Sequence, residues 1–382
     1  MKDKYRKIAA HKIFTGNKLR PWIHNGFVVF DQEGRVVEVS NDNAIASQPH
    51  STEYYNGIMV PGLVNAHLHL ELSHLKGKIS KGKGLASFVS QMTNLHRDSE
   101  NYTIQATKAI EYYDKQMAAN GVVLAADIVN SDITIATKQK SNIHYINFIE
   151  MFGLREDVAD QQIDYAKSLY NLFSKAGLKT HFAPHSTYSI SYKIYEAIKD
   201  LLKDETITTI HFLEGREEQA LFSGVNNEFA KILRNISHNL PYSSYKSLYL
   251  FLTNLISVNI NLLLVHNTFI TEELAEKLVN NFPNLYFVLN PTSNMYVENT
   301  LPPEFLIKKY PDKILIGTDS LATNYSLDIK KEILLLHNTM DVDLTPLLFA
   351  ATINGAKALG QDKYFGSFEV GKKPGWTIIE LS

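Results

Sequence analysis

Pro61-Gly62-Leu63-Val64-Asn65-Ala66-His67-Leu68-His69 closes an apolar run that begins at Met59, and it ends on two histidines one residue apart. A run of this length suits a buried strand. Residues two apart in a strand point to the same side, so both imidazoles can face one point while Leu68 faces away. The pair alone is a weak signal, because 14 histidines in 382 residues give about 0.5 His-x-His pairs by chance. The weight comes from further along the chain. Apolar strand candidates recur at Val122–Ile128, Ile143–Ile149, Lys179–His185, Thr206–Phe212, Asn261–His266, Leu285–Asn290 and Lys313–Asp319, which with Met59–His67 make eight. Stretches such as Tyr165–Phe173 and Glu272–Val279, between them, repeat apolar residues at three and four positions, the helical spacing. Eight βα units predict a (β/α)8 barrel of the TIM type. No glycine-rich phosphate fingerprint follows a strand, so a doubly wound open sheet ranks below it.

The first sixty residues read differently. Short apolar runs, Phe27-Val28-Val29-Phe30 and Val36–Val39, flank the turn Asp31-Gln32-Glu33-Gly34, and the tail Gly366–Leu381 has the same character. Two short tail strands are too few to fold alone. The expected α/β architecture is therefore a catalytic barrel over residues 59–363, with residues 1–58 and 364–382 together forming a small β-sandwich module. Ser237–Val258, rich in Tyr and Ser, is expected to lie as a loop and helix over the barrel mouth.

Composition narrows the chemistry. The chain is 45% hydrophobic and 20% charged, with 38 Lys plus Arg against 40 Asp plus Glu, so no global basic field exists to hold nucleic acid or an anionic membrane. Zero cysteines exclude disulfides, a cysteine nucleophile, iron–sulfur clusters and Cys-type zinc sites, which leaves His and carboxylate for any metal. The charged start Met1–Ala10 is not followed by a signal-peptide core, and no stretch approaches a membrane span. The expectation is a soluble, cytoplasmic protein acting on a small molecule.

Other strand ends carry polar groups too: His185 on the fourth, His211 on the fifth, His266 on the sixth and Asp319 on the eighth. Barrel active sites assemble at these C-terminal ends. In Ile314-Leu-Ile-Gly-Thr-Asp319-Ser320 an apolar strand delivers a carboxylate to the rim, where burial demands a cation or several donors.

The motifs PGLVNAHLH (61–69), HFLE (211–214), LVHN (264–267), NPTSN (290–294), GTDS (317–320), TINGAKALG (352–360) and GSFEVGKKPG (366–375) run in this order along nearly the whole chain. Together they resemble the amidohydrolase superfamily, on the mononuclear-metal branch of cytosine, guanine, adenosine-type and aminofutalosine deaminases and related chlorohydrolases. The resemblance implies one divalent ion, Zn2+ in preference to Fe2+, held by His67, His69, His211 and Asp319. It also implies a proton-shuttling Glu214 and a catalytic His266 beside the metal-bound water, with Asp319 sharing in catalysis. Binuclear relatives use a carboxylated lysine at the end of the fourth strand, whereas that end here is His185, which then becomes a substrate contact. Ser320 is grouped with the substrate contacts. Glu71, in a HLELSHLKG stretch resembling aminofutalosine deaminases, would accept hydrogen bonds from a sugar diol or stay a solvated loop carboxylate. Arg155 would bind a substrate carboxylate or remain a surface residue, and Glu217 and Glu218 read as a solvated helix start. Two departures stand out: Asn290-Pro291 replaces the usual Cys-Pro, and Pro374-Gly375-Trp376 replaces the closing Ala-Asp.

The implied activity is hydrolytic deamination of a heterocycle, the 6-aminopurine ring of a nucleoside-like substrate such as aminodeoxyfutalosine. The alternatives are the same machinery acting on a chloro-triazine or a cyclic amide, and a non-catalytic barrel that keeps its metal as a staple. A homodimer is the base-rate expectation.

Overall fold

In the computed structural model, residues 5–41, 52–95, 100–222, 228–237, 245 and 247–380 are described. The apolar runs of the N-terminal region form β1 (Tyr5–Phe14), β2 (Trp22–Asp31), β3 (Val36–Ser40) and β4 (Thr52–Pro61). Eight further strands follow: β5 (Leu63–Leu68), β6 (Val122–Val129), β7 (His144–Met151), β8 (Lys179–Pro184), β9 (Ile207–Phe212), β10 (Asn261–His266), β11 (Leu285–Leu289) and β12 (Ile314–Ile316). The last strand is β13 (Trp376–Ile379).

These eight strands make two parallel four-stranded sheets, β5-β6-β7-β8 and β12-β11-β10-β9. Isolated parallel bridges pair Leu68 with Asp319 and Ser186 with His211, linking each edge of one sheet to the other. Val64, Leu124, Ala126 and Phe148 from one sheet share a buried cluster with Leu263, Val265 and Val288 from the other. On their opposite side the strands pack against helices such as Ala159–Lys175, which buries Ile163, Ala166, Leu169 and Phe173 at three- and four-residue spacing. Strands covered on both faces must be apolar throughout, which is why they are legible as continuous runs.

Three sequence expectations change. Met59–His67 is two strands: β4 stays in the terminal sheet up to Pro61, which is registered with Trp376, and β5 starts the parallel sheet at Leu63. The switch falls at Gly62, where a Cβ would lie 2.4 Å from the Pro374 carbonyl oxygen and 2.5 Å from Val123. The terminal strands form one five-stranded sheet, β13-β4-β1-β2-β3, rather than two facing sheets among the described residues. Among the described residues of the tail the one strand is β13; the stretch before it turns at Gly366 and Gly371 (φ 87° and 90°), with the Phe368 and Gly371 amides donating to the Thr15 and Val36 carbonyls and Phe368 packed on the sheet beside Phe30. Of Ser237–Val258, the helix Leu248–Leu255 is described, while 238–244 and 246 lie outside the described residues.

Where the two sheets approach at Gly317, a Cβ would stand 2.4 Å from Asn290 Oδ1 and 2.8 Å from the His67 carbonyl oxygen. Gly317→Ala is therefore expected to lower unfolding stability by about 1–3 kcal/mol, read by chemical denaturation. An unchanged midpoint would show that the seam tolerates the methyl group.

Candidate metal centre

His67 and His69 do point to one place, but simple alternation does not bring them there. Val64 and Ala66 sit in the cluster between the sheets, so strict alternation would send Leu68 to that side and both histidines to the other. In β5, Asn65 pairs with Ala125 and Leu68 with Asp127, so three steps of β5 span two of β6. This bulge resets the phase. Asn65 secures the seam beside it: its Nδ2 donates to Thr318 Oγ1 at 2.8 Å, and its Oδ1 accepts from the Thr318 amide at 3.2 Å. The Thr318 and Asp319 amides both donate to the His67 carbonyl at 3.0 Å. The eighth strand end is thus locked onto the first.

The ring of His67 lies within 5.0 Å of His69 and 4.9 Å of His211, centroid to centroid, and His266 stands 5.4 Å from His211. Asp319 Oδ1 faces His67 Nε2 at 3.6 Å and His69 Nε2 at 3.5 Å, while its Oδ2 accepts from Ser293 at 2.6 Å and Thr323 at 2.9 Å. All five side chains are buried. His266 and Asp319 hold left-handed backbone (φ 77° and 57°), a conformation that costs energy in non-glycine residues and aims both side chains inward from the ends of their strands.

Hydrogen bonds select the tautomers. His211 Nδ1 donates to the His185 carbonyl at 2.8 Å, leaving the Nε2 lone pair facing His69 Nε2 at 3.4 Å. His266 Nδ1 is 3.3 Å from Asn294 Oδ1, the same arrangement with an amide oxygen as acceptor. Burial pushes the His69 imidazolium down to about 3 and lowers His211 and His266 as well, so these rings are neutral at pH 7. Neutral rings with converging lone pairs repel one another unless something electron-poor lies between them. His67 Nε2 is buried without a hydrogen-bond partner, and the groups His67–His69–Asp319 and His67–His211–His266 each bring their donor atoms within 4.8 Å of one another. A cation with tetrahedral or five-coordinate preference fits this donor set.

Glu214 follows β9 by two residues, through Leu213 in left-handed backbone (φ 50°), and its Oε2 lies 3.8 Å from His266 Nε2. Burial, reinforced by Asp319 and Glu298, pushes its carboxyl well above the usual carboxylate range, which favours the protonated form. His185 stands at the edge of the cluster, its side chain 30% exposed and its Nδ1 2.8 Å from Ser189 Oγ. Ser320 is buried beside Asp319.

Two expected substrate contacts take other partners. Glu71 is buried, and its Oε2 accepts from Ser131 Oγ at 2.8 Å and the Asn130 amide at 3.2 Å. It is therefore no solvated loop carboxylate, and burial raises its pKa to about 7. Arg155 is exposed and ion-paired with Asp157, two residues along the same loop. Its guanidinium is engaged at the surface.

Sequence reasoning missed Glu150 and misread Glu218. Glu150 is buried in β7 with Oε1 at 3.6 Å from His211 Nδ1 and 4.0 Å from His185 Nε2. The signal was available: Tyr145-Ile-Asn-Phe-Ile-Glu150 ends an apolar strand on a carboxylate, the pattern that singled out Asp319. Glu218, expected in solvent, is fully buried against Thr187 and the Glu214 amide. Beneath the site a buried Lys138–Asp127 pair, from the helix Ile135–Lys138 and β6, supports the start of the Glu71 turn, since Asp127 Oδ1 accepts the Leu70 amide at 2.8 Å.

A parallel α/β scaffold carrying clustered imidazoles and a carboxylate at its strand ends defines a metal-hydrolase architecture. Residues 58–381 match the Amidohydrolase family, and the chain belongs to it. An adenosine deaminase of Helicobacter pylori is 27% identical, over 97% of this chain and 91% of that protein. An aminodeoxyfutalosine deaminase of Nitratiruptor sp. is 26% identical, over 94% and 88% respectively. In three dimensions the chain is similar to Helicobacter pylori aminofutalosine deaminase in complex with methylthio-coformycin, with a TM-score of 0.81, 21% identity, and coverage of 99% and 92%.

Proposed function

We propose that this protein is a metal-dependent hydrolytic deaminase that releases ammonia from the 6-aminopurine ring of a nucleoside-like substrate such as aminodeoxyfutalosine. The observation that carries the reading is a buried carboxyl, Glu214, set 3.8 Å from His266 at the edge of the imidazole–carboxylate cluster, where burial favours its protonated form. Deaminases among the sequence relatives, matched over nearly their full length, support it.

His67, His69, His211 and Asp319 would hold one divalent ion, zinc by the nitrogen-rich donor set. When bound, such an ion supplies Lewis acidity that makes water nucleophilic near neutral pH. The chain's own residues do the rest. Glu214 protonates the ring nitrogen next to the carbon under attack, then takes the proton of the hydroxyl formed at that carbon and passes it to the departing amine, and the proton that His266 accepts from the attacking water afterwards returns to Glu214. His266, with Nδ1 turned to Asn294, presents Nε2 to the attacking oxygen and can accept its proton. Overall one water is consumed, a C–O bond forms and the C–N bond to the amine breaks. His185, Ser320 and Glu71 would line the substrate side, with Arg155 left at the surface.

The same reading treats the two parallel sheets, bridged at both edges, as one closed (β/α)8 barrel over residues 59–363, flanked by a β module from 1–58 and 364–382. No described helix is long and apolar enough to cross a membrane. The protein would act in the cytoplasm, and gel filtration would read the expected homodimer.

The test is ammonia release by metal-reconstituted protein against 6-aminopurine nucleosides, aminodeoxyfutalosine included, with Asp319→Ala protein as blank. Turnover of one nucleoside above the blank is expected. Silence across the panel with metal bound would transfer the assignment to chloro-triazine or cyclic-amide substrates.

A further inference from the structure

The turn that carries Glu214 presents a problem that the catalytic reading does not solve. Leu213 takes left-handed backbone (φ 50°) directly after β9, reversing the chain, and Gly215 runs so close to the helix Gly84–Thr93 that a Cβ would stand 2.6 Å from Leu85 Cβ. Amides at such a reversal have left the sheet ladder and, being buried, need an acceptor. Glu218 provides it. Its Oε2 accepts from the Glu214 amide at 3.3 Å, the Leu213 amide also hydrogen-bonds to this carboxyl, and Oε1 shares a hydrogen bond with Thr187 Oγ1 at 2.5 Å. Thr187 lies two residues beyond His185, whose carbonyl receives both the amide and Nδ1 of His211. One fully buried carboxyl thus ties together the loop after β8, the turn after β9 and the helix Arg216–Phe222.

We propose that Glu218 is a positioning residue for the deamination: by holding the Leu213–Glu214 amides and Thr187 at once, it fixes the reversed turn that aims the Glu214 carboxyl at His266. The inference rests on Glu214 acting as the proton shuttle. Burial pushes the Glu218 carboxyl up to about 8, so near neutrality the working form is an uncharged acid. A glutamine retains one acceptor for the amides and, like the O–H of the uncharged acid, a donor for Thr187 Oγ1, so it should substitute; an alanine leaves two buried amides without their acceptor and Thr187 without this partner. His211, upstream of the turn, keeps its own bonds to His185 in either variant.

The experiment compares Glu218→Ala, Glu218→Gln and Glu214→Gln for kcat, KM and metal content, together with hydrogen exchange of the 211–222 segment in metal-free protein. With Glu218→Ala, kcat is expected to fall about 100-fold, as a misplaced catalytic group costs, with KM changed less than about threefold. Metal content should hold, and the segment should lose exchange protection. Glu218→Gln should restore protection and keep kcat within about threefold of the parent. If Glu218→Ala does not fold, Thr187→Val carries the test, with an expected kcat loss of about tenfold at unchanged metal content. The proposal is overturned if either of the disruptive variants, folded, keeps parental kcat. It is also overturned if Glu218→Gln is as inactive as Glu218→Ala while retaining metal and protection, since the proton of Glu218 would then be what matters. An active Glu214→Gln enzyme would instead remove the shuttle reading itself, a result distinguishable from both.

Discussion

Replacing Asp319 with alanine is expected to bring ammonia release down to the level of the blank, a loss of at least about 10³-fold, with metal content falling in parallel. Three effects act together. The substitution removes the carboxylate that faces His67 and His69, at 3.6 and 3.5 Å in the present structure. It removes the charged acceptor of the buried hydroxyls of Ser293 and Thr323, which are left with each other and the Ser320 carbonyl. It also asks alanine to keep a left-handed backbone (φ 57°) that aspartate tolerates better. Metal analysis by mass spectrometry beside the ammonia assay separates the routes. A variant that binds metal at parental stoichiometry and turns over substrate would remove Asp319 from the centre.

Glu214→Gln should be nearly as damaging for a different reason. The amide is isosteric and uncharged, and burial beside Asp319 and Glu298 already disfavours charge on this carboxyl, so fold and metal content are expected to match the parent. It cannot deliver a proton to the ring nitrogen or the leaving amine, and general acid–base catalysis of this kind contributes about 10²–10⁴-fold. The expected outcome is a kcat reduced by that factor with KM little changed. Retention of most activity would mean that another group moves the protons, with Glu150 the next candidate because it is buried 3.6 Å from His211.

The strands were legible because each is buried on both faces and must be apolar from end to end; Asn261–His266 and Val122–Ile128 match β10 and β6 within a residue. Their polar terminators were legible for the same reason, since a histidine or aspartate closing such a run stands against its background. Glu214 came through its motif. Glu218 was hidden because acidic residues in a first helical turn normally face water and the dipole. Nothing local tells Glu217 from Glu218; the difference is Thr187, 31 residues away in the chain and 2.5 Å away in space. For Arg155 the surface alternative is the one the contacts favour, its partner Asp157 lying only two residues on.

The sequence by itself determined the order of parallel strands, the histidine and aspartate supply at their ends, and the absence of any thiol, because each follows from local pattern or residue type. Tertiary structure decided the rest. The bulge in β5 that turns His67 and His69 inward depends on register against β6, and the two-strand switch at Gly62 depends on Pro374 and Val123. The tautomers of His211 and His266 depend on a carbonyl at His185 and an amide at Asn294. Each of these is a contact between segments distant in the chain, set by close packing and by the need to satisfy buried polar groups, and no local periodicity encodes it.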